Sequence, residues 1–157
     1  MENRTSQVTT GKRLLPPTYL LTSIAAMVGL RSLLPGVRII TLPWTLLGLL
    51  PITFGVYLNL AADRTFKKVG TTVKPFEKST SLVATGAYAI SRHPMYLGFT
   101  LILLGIAVLL GVATPFLVVL AFALVMEFRF IRVEQAMMQE TFGQDWHTYK
   151  ARVRRWI

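Results

Sequence analysis

Arg92, His93 and Pro94 stand side by side in the stretch Gly86-Ala87-Tyr88-Ala89-Ile90-Ser91-Arg92-His93-Pro94-Met95-Tyr96-Leu97-Gly98. Proline suits the first position of a helix, where its missing N–H would have no partner anyway. A helix is therefore predicted to start at Pro94, with His93 as its cap. A helix N-terminus beside an arginine attracts an anion, either a carboxylate or a phosphate. The plainer alternative is that Arg92 meets lipid phosphates and His93 only caps.

A second group is Glu127, Arg129, Arg132 and Glu134. In a regular α-helix residues seven apart share a face, which joins Glu127 to Glu134 and leaves Arg129 and Arg132 on roughly the opposite face. An ionisable group at membrane depth is costly, so Glu127 is a functional candidate. An ion pair to a basic residue of another helix is the competing reading. Asn59 and Asp63, four apart, face one way and read as hydrogen-bonding glue between helices. Gly98 and Gly105 share a face and read as close-packing positions. The chain has no cysteine, which excludes disulfides, thiolate-ligated metals and a thiol nucleophile. There is no phosphate-cradling glycine loop, no Gly-x-Ser-x-Gly elbow and no His pair at metal spacing. No metal site is predicted, and His147 reads as solvated.

The elements that must hold these groups are apolar. Hydrophobic residues make up 53% of the 157, concentrated in four blocks at Leu14–Leu34, Leu42–Ala62, Pro94–Val112 and Thr114–Phe130. A spanning helix needs about 20 mostly apolar residues, within a range of roughly 17–25. Arg31, near the end of the first block, can snorkel. Short turns at Pro35-Gly36 and Ala113-Thr114-Pro115 make two helical hairpins, joined by the polar segment Asp63–His93. The predicted fold class is all-α: one membrane domain over residues 1–157, an integral membrane bundle of about four transmembrane helices in two hairpins. Residues 131–157 follow as polar, interfacial helices interrupted by a glycine C-cap signal at Phe142-Gly143. Beyond it, Trp146, Tyr149, Val153 and Trp156 form an apolar stripe beside Lys150, Arg152, Arg154 and Arg155, which reads as lying on the membrane.

The net charge is +10. In a soluble chain that would signal nucleic acid. Here the basic residues flank apolar blocks, so membrane lipids are the predicted partner and nucleic acid is not. Of 17 Lys and Arg residues, Arg31 and Arg38 alone fall on the side of the two hairpin turns. Lys and Arg concentrate on cytoplasmic loops. Both termini and the middle segment are therefore predicted to be cytoplasmic, with the polar groups above at the cytoplasmic helix ends.

These residues resemble the isoprenylcysteine carboxyl methyltransferase and phospholipid N-methyltransferase superfamily. The resemblance covers about Leu60 to Trp156. It rests on Gly70-Thr71-Thr72-Val73-Lys74-Pro75-Phe76, on Leu82 to Tyr88, on Ser91 to Gly98, on Arg132-Val133-Glu134-Gln135, and on Phe142-Gly143 followed by Tyr149. The Arg-His-Pro-x-Tyr-x-Gly string with its downstream Glu and Phe-Gly is specific in combination. It implies a helical membrane enzyme that binds S-adenosyl-L-methionine near the cytoplasmic face. The acceptor would be lipid-like or a small hydrophobic molecule: a phospholipid amine, a prenylated carboxylate or a small thiol.

Carried onto matching positions, Tyr88, His93, Pro94, Tyr96, Leu97, Gly98 and Glu134, joined by Arg132, would line the cofactor pocket, with residues 131–157 covering it. Arg92, Glu127 and Arg129 are the candidates for catalytic groups. Three departures stand out. Ala87 replaces the proline of the family's Gly-Pro-Tyr, Gln135 replaces the second of its paired glutamates, and Val153-Arg154-Arg155 stands for Val-Pro-Arg. The chemistry agrees with the resemblance. Methyl transfer from a sulfonium needs alignment of nucleophile, methyl and sulfur more than acid–base help. A buried carboxylate can hold an ammonium, and an arginine or helix N-terminus can hold a carboxylate. The alternatives are a nicotinamide-dependent membrane reductase of related helical core and a non-catalytic membrane adaptor.

Overall fold

The computed structural model describes residues 15–34, 36–69 and 82–157. Leu14, Pro35 and the segment Gly70–Phe76, all used above, lie outside the described residues. Every regular element among those described is helical. In chain order these are α1 (Pro16–Leu33), α2 (Leu49–Val69), α3 (Pro94–Leu110), α4 (Thr114–Met126) and α5 (Arg132–Arg152). A 3₁₀ turn at Trp44–Gly48 leads into α2, another at Gly86–Ala89 precedes α3, and a π turn at Glu127–Ile131 joins α4 to α5. Prolines open α1, α3 and α4, where they cost no hydrogen bond.

Helices α2 and α3 run antiparallel with their backbones in close approach, and glycines permit it. A Cβ added at Gly98 would lie 2.7 Å from the Gly55 carbonyl oxygen, and one at Gly55 would lie 2.5 Å from the Gly98 oxygen. Gly48, at the end of the 3₁₀ turn before α2, and Gly105 of α3 stand in the same relation, each seven residues from the first pair. Small residues at matching positions are the usual means of close helix contact in lipid, where burying apolar side chains adds little. Helix α1 packs on the other flank, against α3 and α4. Met27, Tyr96, Leu103, Ala107, Phe122, Met126, Phe130 and Ile131 form the core there.

At one end of the bundle the two hairpin turns are knitted together. The Ile39 and Ile40 amides donate to the Gly111 carbonyl at 3.0 and 3.1 Å, and the Ala113 amide donates to Val37 at 3.0 Å. Gly111 is left-handed (φ 69°) and ends α3, the conformation that favours glycine at this position. The Arg31 guanidinium donates to the Leu110 carbonyl. It satisfies a free acceptor at the α3 terminus and does not simply reach for the lipid surface, as the sequence reading had it.

Two further expectations are corrected. Helix α2 runs on to Val69, past the predicted end at Ala62, because Asp63 pairs with Lys67 one turn on at 2.6 Å and Phe66 is buried against Tyr88. The aromatic stripe of the C-terminal segment faces protein, not lipid. Trp146, Tyr149 and Val153 are buried, packed against Leu82, Ala84, Met138 and Phe142. The bend that turns them inward is at Gly143 (φ 48°, ψ −114°), where a side chain would be strained.

The surface is heavily apolar, with Leu21, Leu33, Leu50, Phe54, Leu117 and Leu120 each more than half exposed. The helical stretch Trp44–Lys68, 25 residues that include an 18-residue window of mean hydropathy 1.6, is long and apolar enough to cross a membrane. Helix α3 is apolar but shorter, at 17 residues.

Candidate functional site

The polar groups gather at the end away from the hairpin turns, where α3 begins and α5 leaves the bundle. Ser91 shapes the approach to α3. Its hydroxyl accepts from the His93 amide at 3.2 Å and donates to the Arg155 carbonyl at 3.2 Å. The Arg92 amide donates to the Arg154 carbonyl at 3.1 Å. The chain after α5 is thus strapped across the start of α3. His93 occupies the N-cap position, but its side chain makes no cap hydrogen bond. The ring turns instead toward α5, which corrects the capping expectation.

Glu134 is the focus. Tyr96, one turn into α3, donates its hydroxyl to Glu134 Oε1, and His93 Nδ1 lies 3.4 Å from Glu134 Oε2. His93 and Tyr96 stack with ring centroids 5.9 Å apart, as residues three apart on a helix can. On the far edge of the His93 ring, Nε2 is 3.1 Å from the Gln135 amide nitrogen, and the Gln135 oxygen accepts from Arg155 at 3.2 Å.

Glu127 forms a separate centre. It accepts from the Arg155 guanidinium and, at 3.3 Å, from the Trp156 indole, with Arg132 Nε 3.6 Å from its first oxygen. The regular-helix phase placed Arg132 opposite Glu127. The π turn reverses this, because its Arg132 N–H to Glu127 carbonyl bond closes over five residues and rotates everything beyond it. The same turn separates the partners of Glu127 from those of Glu134. Arg132 also lies over the Phe128 ring at 4.2 Å. Arg129 is exposed on the π turn, and nothing brings it to Glu134.

Of the remaining predicted residues, Pro94 and Leu97 are buried in the first turn of α3. Gly98 is a contact point with Asn59 and Gly55 of α2. Tyr88 is buried, and its carbonyl accepts from the Tyr149 hydroxyl at 2.6 Å. Burial, then the nearby Glu134 carboxylate and Tyr149, push the Tyr88 hydroxyl above the usual tyrosine range. Burial pushes Tyr149 up to about 12, against the opposing pull of Arg92.

The Arg92 guanidinium lies over Trp146, 5.8 Å from the ring centre. Burial and the neighbouring Arg155 lower its proton affinity, without discharging a guanidinium. Its Nε and Nη1 are buried and make no hydrogen bond among the described residues. Buried donors left in this state are costly, and a carboxylate satisfies two of them at once. Glu134, with the Tyr96 hydroxyl on one oxygen and the His93 ring 3.4 Å from the other, keeps further acceptor capacity. An acceptor-only carboxylate and an undersupplied guanidinium fit a ligand that carries both an ammonium and a carboxylate.

From sequence, Ser91 had a place in the Arg92-His93-Pro94 cluster but no role, and Trp146, Arg155 and Trp156 were not assigned to this site. The signal for those three was a basic aromatic segment, which is indistinguishable in pattern from an interfacial helix.

The family model described as phospholipid methyltransferase matches residues 43–145. Among solved structures, the fold is similar to that of the eukaryotic intramembrane Ras methyltransferase, an isoprenylcysteine carboxyl methyltransferase. The TM-score is 0.68 at 24% identity, over 90% of this chain and 51% of that one. The chain therefore spans about half the length of that relative. No curated protein sequence matches.

Proposed function

This chain belongs to the phospholipid methyltransferase family, and we propose that it transfers a methyl group from S-adenosyl-L-methionine to a lipid-like or small hydrophobic acceptor at the cytoplasmic membrane face. The observation that carries the reading is that this end of the bundle holds both Glu134, an acceptor contacted by Tyr96 and His93, and Arg92, a guanidinium with two buried nitrogens that have no hydrogen-bond partner among the described residues.

When bound, the cofactor supplies an activated methyl group on a sulfonium. The residues of the chain have other tasks. Glu134 holds the ammonium of the amino-acid moiety, and Arg92 holds its carboxylate. Tyr96 and His93 keep the Glu134 carboxylate from turning away. Pro94, Leu97 and Tyr88 wall the site, and the strap at Arg154 and Arg155 limits access of water. Catalysis of this type is mainly positioning. Among the residues proposed as catalytic from sequence, Arg92 keeps a place beside the ligand. Glu127 serves to hold the strap, and Arg129 faces lipid headgroups.

In this reading all 157 residues form one membrane domain, with four spans and both termini cytoplasmic. The sparse charge at the hairpin-turn end, Arg31 and Arg38, supports that orientation.

The test is incubation of the purified protein with methyl-labelled S-adenosyl-L-methionine and a total lipid extract. Label should enter the organic phase, and Arg92→Ala should reduce its incorporation by roughly tenfold or more, the value of a charge-assisted hydrogen bond. Absence of label from every extracted species would contradict the proposal.

A further inference from the structure

We infer that Gln135 and Arg155 are positioning residues that fix the tautomer of His93 and thereby keep the Glu134 carboxylate aimed. The inference rests on the reading of Glu134 as a ligand contact.

Donors and acceptors alternate along one chain of groups. A guanidinium has donors only. Arg155 Nη2 lies 3.2 Å from Gln135 Oε1, so that end of the amide must be its oxygen. The reversed amide would set donor against donor. The amide nitrogen therefore faces His93 Nε2, at 3.1 Å, and it too has only donors. His93 Nε2 must then be the nitrogen that carries the lone pair. A neutral imidazole has one N–H and one acceptor, so its proton sits on Nδ1. That nitrogen faces Glu134 Oε2 at 3.4 Å.

The order of donation runs from Arg155 through Gln135 and His93 to Glu134. Tyr96 donates to the other oxygen of Glu134. Each oxygen is thus engaged once, and rotation of the carboxylate would break both contacts. A neutral ring also leaves the charge of Glu134 uncancelled for a cationic ligand. A carboxylate at position 135 would do the opposite. It would accept a hydrogen bond from a protonated Nε2 and so favour the other tautomer. Arg155 is anchored for its role by the Glu127 carboxylate and by its own carbonyl, which accepts from Ser91 at 3.2 Å.

The tautomer can be read directly, without ligand. The chain has two histidines, and the other, His147, is on the exposed face of α5 beside Gln139. In a His147→Gln background, ¹⁵N-histidine labelling reports His93 alone. Long-range proton–nitrogen correlations of the full chain in detergent should show a protonated Nδ1 and a bare Nε2. Arg155→Met frees the amide to turn, and Gln135→Glu supplies an acceptor. Both should place a proton on Nε2 and weaken S-adenosyl-L-methionine binding about fivefold, as for one ordinary hydrogen bond. Should Arg155→Met loosen the fold through Glu127, Gln135→Glu retains that contact and decides the matter. A protonated Nε2 in the parent, or an unchanged ring in Gln135→Glu, would overturn the inference. If the ring responds as expected while Glu134→Gln leaves cofactor affinity untouched, the relay stands and the cofactor role of Glu134 fails.

Discussion

The guanidinium of Arg155 donates to the carboxylate of Glu127, and the neighbouring Trp156 indole reaches the second oxygen of the same carboxylate at 3.3 Å. The segment after α5 is thereby tied to the π turn that α5 starts from, closing the chain on itself around the site. Glu127 is mostly buried, while Arg155 is 39% exposed. Glu127→Gln should therefore cost about 1.5 kcal/mol, the low end for a hydrogen bond to a charged group. It should appear as a lower thermal midpoint in detergent. Cofactor affinity should fall less than in Glu134→Gln. The reverse order would make Glu127, not Glu134, the ligand contact.

The α2–α3 interface predicts a contrast between glycines. At Gly98 an added methyl meets Asn59 and, at 2.7 Å, the Gly55 carbonyl oxygen. Neither helix backbone can yield without opening the interface. Gly98→Ala should cost about 3 kcal/mol, as overpacking does. Gly29 on α1 has nothing within 4 Å of an added Cβ. Gly29→Ala should be neutral or slightly stabilising, since alanine is the better helix former. Thermal unfolding of the two variants compares them, and equal midpoints would refute the close approach.

Tyr149 gives a pH dependence. Burial holds its hydroxyl protonated up to about 12, against about 10 in an unfolded chain. The folded value is the higher one, so its contribution is fully present below pH of about 10 and is lost as pH rises toward about 12. Unfolding midpoints should fall across that window, and Tyr149→Phe should flatten the fall. Tyrosinate absorbance that titrates completely near pH 10 in the folded protein would contradict the burial of this residue.

Topology is testable because the chain has no native cysteine. Single cysteines at Lys12, Lys74 and Lys150 should label with an impermeant reagent from the cytoplasmic side only, and one at Val37 from the opposite side only. Labelling of Lys74 and Val37 from the same side would remove the two-hairpin arrangement.

Much of this architecture was legible in the sequence. Pro94 marks the start of α3 because proline is cheap only there. Gly98 and Gly105 mark an interface because their spacing keeps them on one face. What could not be read is where the regular helix fails. Regular helical phase puts Glu127 and Glu134 on one face, and the π turn that starts at Glu127 sends each to different partners. An extra residue in a helical turn leaves no signature in residue type. The C-terminal stripe was legible as a stripe, but periodicity does not say whether a face meets lipid or protein. Gly143 decides that by bending Trp146 and Tyr149 back onto Leu82 and Ala84. The roles of Gln135 and Arg155 depend on contacts between α3, α5 and the strap, which no local pattern encodes.

The central claim is that Glu134 holds the ammonium of S-adenosyl-L-methionine, and the most direct test is equilibrium binding of that cofactor to the purified parent and to Glu134→Gln. The variant keeps the size and an acceptor oxygen and removes only the charge. A charge-assisted hydrogen bond contributes about 1.5–3 kcal/mol, so the parent should bind and the variant should bind roughly tenfold or more weakly, with an unfolding midpoint close to that of the parent. Equal affinity in the two proteins, or no binding by the parent, would contradict the account.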